Sequence, residues 1–233
     1  MAQGGTLGQR ITDLIGAVYN TDVDYAGDLI NAAINEIADM LNSDILMKYS
    51  RTPGVLTSNS EWLVEGRKIL KVTRTDTNST SVERECTAVD RAFFADASDN
   101  DSIYKATAYT PIYHHDTEND GAGTLKVLPE PTSDQRARIW YFEYATATSP
   151  DGNITVLTDS TLNTTIYLPN NLMHAICLKS SINILKAYIS NQVQEEEDIE
   201  LMQMIQAQMG VLEKDFQNEM QRYVPKQQET GGE

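Results

Sequence analysis

The apolar positions of this chain fall into three blocks with different periods. In the first, Ile11, Leu14, Ile15 and Val18 recur at helical spacing after Thr6, a residue suited to capping, and predict a short helix over 7–18. Leu29, Ile30, Ala33, Ile34, Ile37, Met40 and Leu41 form a second stripe with Asn31, Asn35 and Asp39 on the other side, which predicts an amphipathic helix ending near Leu41 or Ser43. Residues 45–49 continue as an extended or helical apolar patch, and Pro53-Gly54 turns the chain.

From about Ser58 the pattern changes to β-branched and aromatic residues at strand spacing. Candidate strands cover 61–75, with Gly66 as a turn or bulge, then 82–89, 103–113, 123–128 and 136–146, and a short one at 154–157. Alternation is cleanest over 138–144, where Ile139, Tyr141 and Glu143 face one way and Trp140, Phe142 and Tyr144 the other. Val-Asp-Arg-Ala-Phe-Phe-Ala-Asp, within 88–101, predicts a short helix beside the sheet. Turn-forming stretches at 76–80, 116–123, 129–131 and 149–153 separate the strands, so the centre reads as an antiparallel β domain.

The third block returns to helical spacing after Leu168-Pro169. A helix over 171–190 is apolar on more than one face, through Ile176, Leu178, Ile182, Leu185 and Ile189 with Met173, Cys177, Ile184 and Tyr188, and is expected to be the most buried. Glu195, Glu196, Glu197 and Asp198 stand where a fourth helix would begin; they complement its dipole, a contact with a basic partner being the other reading. In that helix Met202, Ile205, Met209, Leu212, Phe216, Met220 and Tyr223 follow at steps of three and four, a sustained seam for a helical partner inside the subunit or on a neighbour. The expected fold is α+β: N-terminal helices (1–57) and a C-terminal helical pair (168–224) form one bundle, a β-rich domain (58–167) is inserted, and 225–233 is a flexible tail.

Charge and composition narrow the chemistry. A net charge of −16 over 233 residues argues against broad attraction to nucleic acid or to an anionic membrane, though an acidic wall would let DNA slide past. No run of about 18 apolar residues occurs, and the N-terminus lacks the pattern of a leader peptide, so a cytoplasm-like compartment is expected. Cys86 and Cys177 are too far apart in sequence to mark a disulfide framework or zinc site. Asp116, Glu118, Asp120 and Gly121 imitate the start of a calcium loop, but its twelfth position is Val127, so a plain acidic hairpin is the better reading. His114 and His115 point to opposite faces of a strand, His174 and Cys177 share a helix without a third member, and no phosphate loop is present. Neither an enzyme nor a cofactor is expected. The aromatic residues Tyr104, Tyr109, Tyr113, Trp140, Tyr141, Phe142 and Tyr144 lack the interleaved basic residues of a nucleic-acid platform, but leave open a carbohydrate- or receptor-binding module.

The order of parts, with Ile34-Asn-Glu-Ile-Ala-Asp-Met-Leu closing an amphipathic helix, a β-rich insertion, Leu168-Pro169, and a helical pair broken by Gln194-Glu-Glu-Glu-Asp198, resembles the head-to-tail adaptor (connector, neck) proteins of tailed bacteriophages, including the tail tubular protein A adaptors of short-tailed phages. The resemblance spans the whole chain in layout. It implies a structural virion protein without catalytic activity, made in the host cytoplasm and placed at the virion neck, that forms a ring of commonly twelve copies under the portal and lines the DNA channel. It further implies that the bundle and C-terminal segment meet the portal, making Arg222, Tyr223, Val224, Pro225 and Lys226 candidate contacts. The β domain would face a downstream tail or nozzle protein through loops carrying Asp76, Asn78, Asp99, Asp101, Asp116 and Asp120. Sequence-specific nucleic-acid binding and membrane insertion are not expected of such a protein.

Overall fold

The computed structural model describes residues 5–16, 23–50, 52–58, 64–76, 79–116, 123–145, 166–192 and 199–223. The fold is α+β, and the chain divides into a helical unit, 1–49 with 144–233, and a sheet unit, 50–143. The sheet unit starts earlier and ends earlier than the sequence predicts. A short strand, β1 (Gly54–Leu56), pairs with the last strand among the described residues, β7 (Ala137–Glu143), while Tyr144 onward belongs with the helical unit.

In the helical unit, α1 (Leu7–Ile15) begins with a capping box. Thr6 Oγ1 accepts from the Gln9 amide at 3.4 Å and Gln9 Oε1 accepts from the Thr6 amide at 3.0 Å. The helix stops at Gly16, whose φ of 65° breaks it before Val18. Then follow α2 (Val23–Met40) and α3 (Ser43–Tyr49), the second started by Asn42, whose side chain accepts from the Asp44 amide. After a 3₁₀ turn at Asn170–Leu172 come α5 (Met173–Gln192) and α6 (Ile199–Met220); α4 lies in the sheet unit.

Helix α5 packs against α1, α2 and α6, which is why it is apolar nearly all round. Leu7, Ile11 and Ile15 of α1, Ile30, Ile34 and Ile37 of α2, and Ile205, Leu212, Phe216 and Met220 of α6 are buried around it. Two serines of α5, Ser180 and Ser181, are fully buried, and among the described residues their hydroxyls have no hydrogen-bond partner. Small side chains let neighbouring helices approach closely, but the bare hydroxyl costs desolvation. Ser181→Ala is therefore expected to be neutral or to stabilise the helical unit by about 1 kcal/mol in urea unfolding followed by circular dichroism.

The polar stripe of α2 differs from expectation. Asn31 is buried, and Asn35 and Asp39 hold the chain where it returns from the sheet: Asn35 Nδ2 donates to the Ala145 carbonyl at 3.0 Å, its Oδ1 accepts from the Ala145 amide at 2.8 Å, and the Tyr144 hydroxyl donates to Asp39 Oδ1 at 2.6 Å. These residues read as solvent-facing because their partners lie more than a hundred positions away.

The sheet unit has two sheets. One runs β1-β7-β2-β3, with β2 Arg67–Asp76 and β3 Ser79–Glu85, all antiparallel. The other runs β4-β5-β6, with β4 Thr87–Ala88, β5 Ile112–Asp116 and β6 Thr124–Leu128, and its β4–β5 pair is parallel, so the domain is not purely antiparallel. Leu56, Val72, Ala137 and Ile139 from the first sheet share one core with Leu125 and Val127 from the second. The opposite face of the second sheet is covered by α4 (Arg91–Ser98), through Ala97, Ile112, Phe94 and Leu128. Residues 103–111 are turns instead of strand: the side chains of Asp99, Ser102 and Thr107 accept from backbone amides two residues on. The expected strand at 154–157 lies outside the described residues.

Candidate functional site

The predicted seam of α6 is an internal packing surface. Ile205, Leu212, Phe216 and Met220 are buried, and Met202 and Met209 half-buried, on a helix that packs against α5. At its centre Lys179 of α5 lies over the Phe216 ring, 5.8 Å from the centroid, while its Nζ bridges to Glu36 of α2 at 2.5 Å. A groove of about 590 Å³ opens beside Phe216, lined by Met40, Ile182 and Met220.

The candidate portal-contact residues divide. Arg222 and Tyr223 form the turn that ends α6, whereas Val224, Pro225 and Lys226 lie outside the described residues. Tyr223 donates its hydroxyl to the Asn171 carbonyl at 3.3 Å, tying this turn to the entry of α5, and burial raises its pKa. Arg222 pairs with Glu219 at 2.8 Å. Together with Arg10 and His174 they line a polar pocket of about 670 Å³.

Among the candidate loop residues, Asp76 is a correction. It belongs to β2, is buried, and its Oδ2 accepts from Arg84 Nε at 3.2 Å and Nη2 at 3.1 Å, so it is not an exposed loop carboxylate. The strand outlasts the apolar pattern because cross-strand pairs satisfy its charged residues: Lys71 with Glu85, Arg84 with Asp76, and Arg138 with Glu83. Asp99 caps the end of α4 and Asp101 follows it, both exposed. Asp116 closes β5 by its backbone, and Asn78 and Asp120 lie outside the described residues.

Around these loops the sheet unit exposes apolar surface. Ile103 is 91% exposed and Tyr109 62%; the Phe93 and Tyr104 rings meet at a tilt of 53° with centroids 5.7 Å apart, and Arg84 lies 4.7 Å above the Tyr109 ring. Tyr113, by contrast, packs against the core and Phe142 is buried, so the exposed aromatic set is smaller than the sequence implies. The ring of His114 sits against Phe94 with Nδ1 3.1 Å from the Val89 carbonyl. His115 covers Gly123, which has φ 63° and no room for a Cβ, a position that only glycine fills without strain.

Sequence reasoning missed Arg74. This arginine of β2 is 2% exposed and holds the link between β6 and β7: Nε donates to the Pro129 carbonyl at 2.7 Å, Nη1 to the Thr75 carbonyl at 3.1 Å, and Nη2 to the Glu130 carbonyl at 3.3 Å and Gln135 Oε1 at 3.0 Å. Burial lowers its pKa, while nearby Cys86 and Asp76 pull the other way; the Cys86 thiol itself is pushed up to about 12 by burial. Cys86 and Cys177 are buried and not disulfide-bonded. Among the described residues no group of three His, Cys, Asp or Glu is placed to hold a metal ion, and no helix is long and apolar enough to cross a membrane.

Tyr144 gives a pH dependence. Burial and then the hydrogen bond to Asp39 raise its pKa from 10.0 to about 12. The folded chain thus keeps a proton that the unfolded chain has lost, so this contribution to stability is complete below pH 10 and declines as pH rises towards 12. Tyr144→Phe should flatten the stability profile across that window, read as the difference from wild type in urea midpoints; a parallel profile would remove the linkage from Tyr144.

No family model, curated protein or solved structure matches this chain.

Proposed function

We propose that this chain is a structural virion protein, a head-to-tail adaptor of a tailed bacteriophage that forms a ring under the portal, joins capsid to tail and borders the DNA path. What carries the reading is the division of the chain. Both ends build one helical unit around α5, the sheet unit 50–143 is inserted, and the acidity is concentrated in the sequence of the helical unit, which holds 19 of the 34 acidic but 7 of the 18 basic residues, a net of −12 against −4 in the sheet unit. A strongly acidic unit would repel phosphate and leave a passing duplex mobile. In this reading the helical unit meets the portal, the exposed loops around Asp99 and Asp101 meet a downstream tail or nozzle protein, and the chain acts without catalysis or cofactor.

The test is mass photometry of this protein mixed with the portal ring encoded beside it. One copy per portal subunit, twelve on a twelve-fold portal, is expected from a shared symmetry axis. Absence of binding at micromolar concentration would reject the reading. The exposed Ile103, Tyr104 and Tyr109 favour a second one, a carbohydrate- or receptor-binding virion module. It predicts glycan binding that is lost in Tyr109→Ala, and the adaptor reading predicts none.

A further inference from the structure

The helical unit contains two arginines, Arg10 and Arg222, and one histidine, His174; all three line the same pocket. They arrive from different places in the chain: Arg10 from α1, His174 from the first turn of α5, and Arg222 from the turn after α6. Asn170 and Asn171 add amide groups to the wall. In a unit of net −12, where the other cations are lysines, both arginines line this one pocket.

The geometry points to an oxyanion site: we infer that this pocket binds a carboxylate or phosphate group between Arg10 and Arg222. A guanidinium presents planar, paired N–H donors that match both groups, which a lysine does not. Arg222 is held in place yet open. Its Nη1 pairs with Glu219, the Tyr223–Asn171 hydrogen bond fixes the turn, and the Arg222 side chain remains 71% exposed. Arg10 is positioned by its Nε, which donates to the Gly5 carbonyl at 3.2 Å. The acidity of the rest of the unit does not cancel the site, because charges beyond about 10 Å are largely screened at 0.1 M salt. Glu219, 11% exposed and facing the same pocket, orients Arg222 when the site is empty and competes with the anion for it. This inference stands independently of the adaptor reading.

The experiment is a titration of the full-length protein with inorganic phosphate and, separately, with acetate, at constant ionic strength, following arginine Nε–Hε and His174 ring resonances by NMR, with chloride as the reference salt. Saturable shifts of Arg10 and Arg222 are expected; saturation by phosphate alone identifies a phosphoryl ligand, and by acetate alone or by both a carboxylate-accepting site. Arg222→Gln and Arg10→Gln should each weaken binding about tenfold, the loss of one charge-assisted contact. Glu219→Gln should tighten it, and Lys214→Gln, the same charge change as the arginine variants but on the exposed face of α6, should leave it unchanged. Shifts that stay linear and match those of chloride, or equal affinity in wild type and Arg222→Gln, would overturn the site.

Discussion

Arg74→Met is expected to destabilise the sheet unit by about 3–5 kcal/mol, the range for removing one member of a buried, charge-assisted network. Methionine fills much of the same volume, so the loss is chiefly of hydrogen bonds. The carbonyls of Thr75, Pro129 and Glu130 and the Gln135 side chain all lose a donor at once, in a place where the arginine is 2% exposed. Asp76 keeps Arg84 and so does not become an isolated buried charge. Arg74→Lys separates charge from shape. It retains the attraction to Asp76 but lacks the fork that spans both sides of the 129–136 connection, and it should recover little of the loss. Both tryptophans, Trp62 and Trp140, lie in the sheet unit, so urea unfolding followed by tryptophan fluorescence reads this effect directly. Recovery to within 1 kcal/mol of wild type in the lysine variant would show that charge alone matters at this position.

Phe216→Ala is expected to cost the helical unit about 3 kcal/mol, the lower end of the range for a buried phenylalanine. The lower end applies because Phe216 borders the groove formed with Met40, Ile182 and Met220, so water can enter the vacated space and no closed cavity is left. Two effects combine: the ring leaves the α5–α6 contact, and Lys179 loses the surface over which it reaches Glu36. Far-UV circular dichroism during urea unfolding would report it. A loss below 1 kcal/mol would mean that the seam contributes little within the subunit, and a change only in oligomeric state would move its role to a neighbouring copy.

The parts of the fold that were legible in the sequence are those set by local chemistry. Thr6 with Gln9, the stripe of α2, the all-round apolar α5 and the heptad steps of α6 each carry their own period or cap. The misread segment, 103–111, alternates apolar and polar residues as a strand does, yet Asp99, Ser102 and Thr107 divert the backbone into turns with their side chains. The parallel β4–β5 pairing and the burial of Asn31 depend on partners distant in the chain, and no window of residues contains them. The same holds for chemistry. Arg74 is one of four cations in β2, with nothing local to single it out, and the convergence of Arg10, His174 and Arg222 on one pocket needs three elements in place before any signal exists. The acidic residues, by contrast, were visible from the start but are informative only once divided between the two units.

The two cysteines carry a consequence of that division. Cys86 sits in the core shared by the two sheets and Cys177 in the central helix, so each unit encloses a single thiol. An alkylating reagent can reach either sulfur only when its own unit opens. The chain therefore contains a pair of built-in clocks: the order in which the two peptides become labelled records whether helices and sheets come apart together or in turn, in the free protein and again inside whatever assembly it enters.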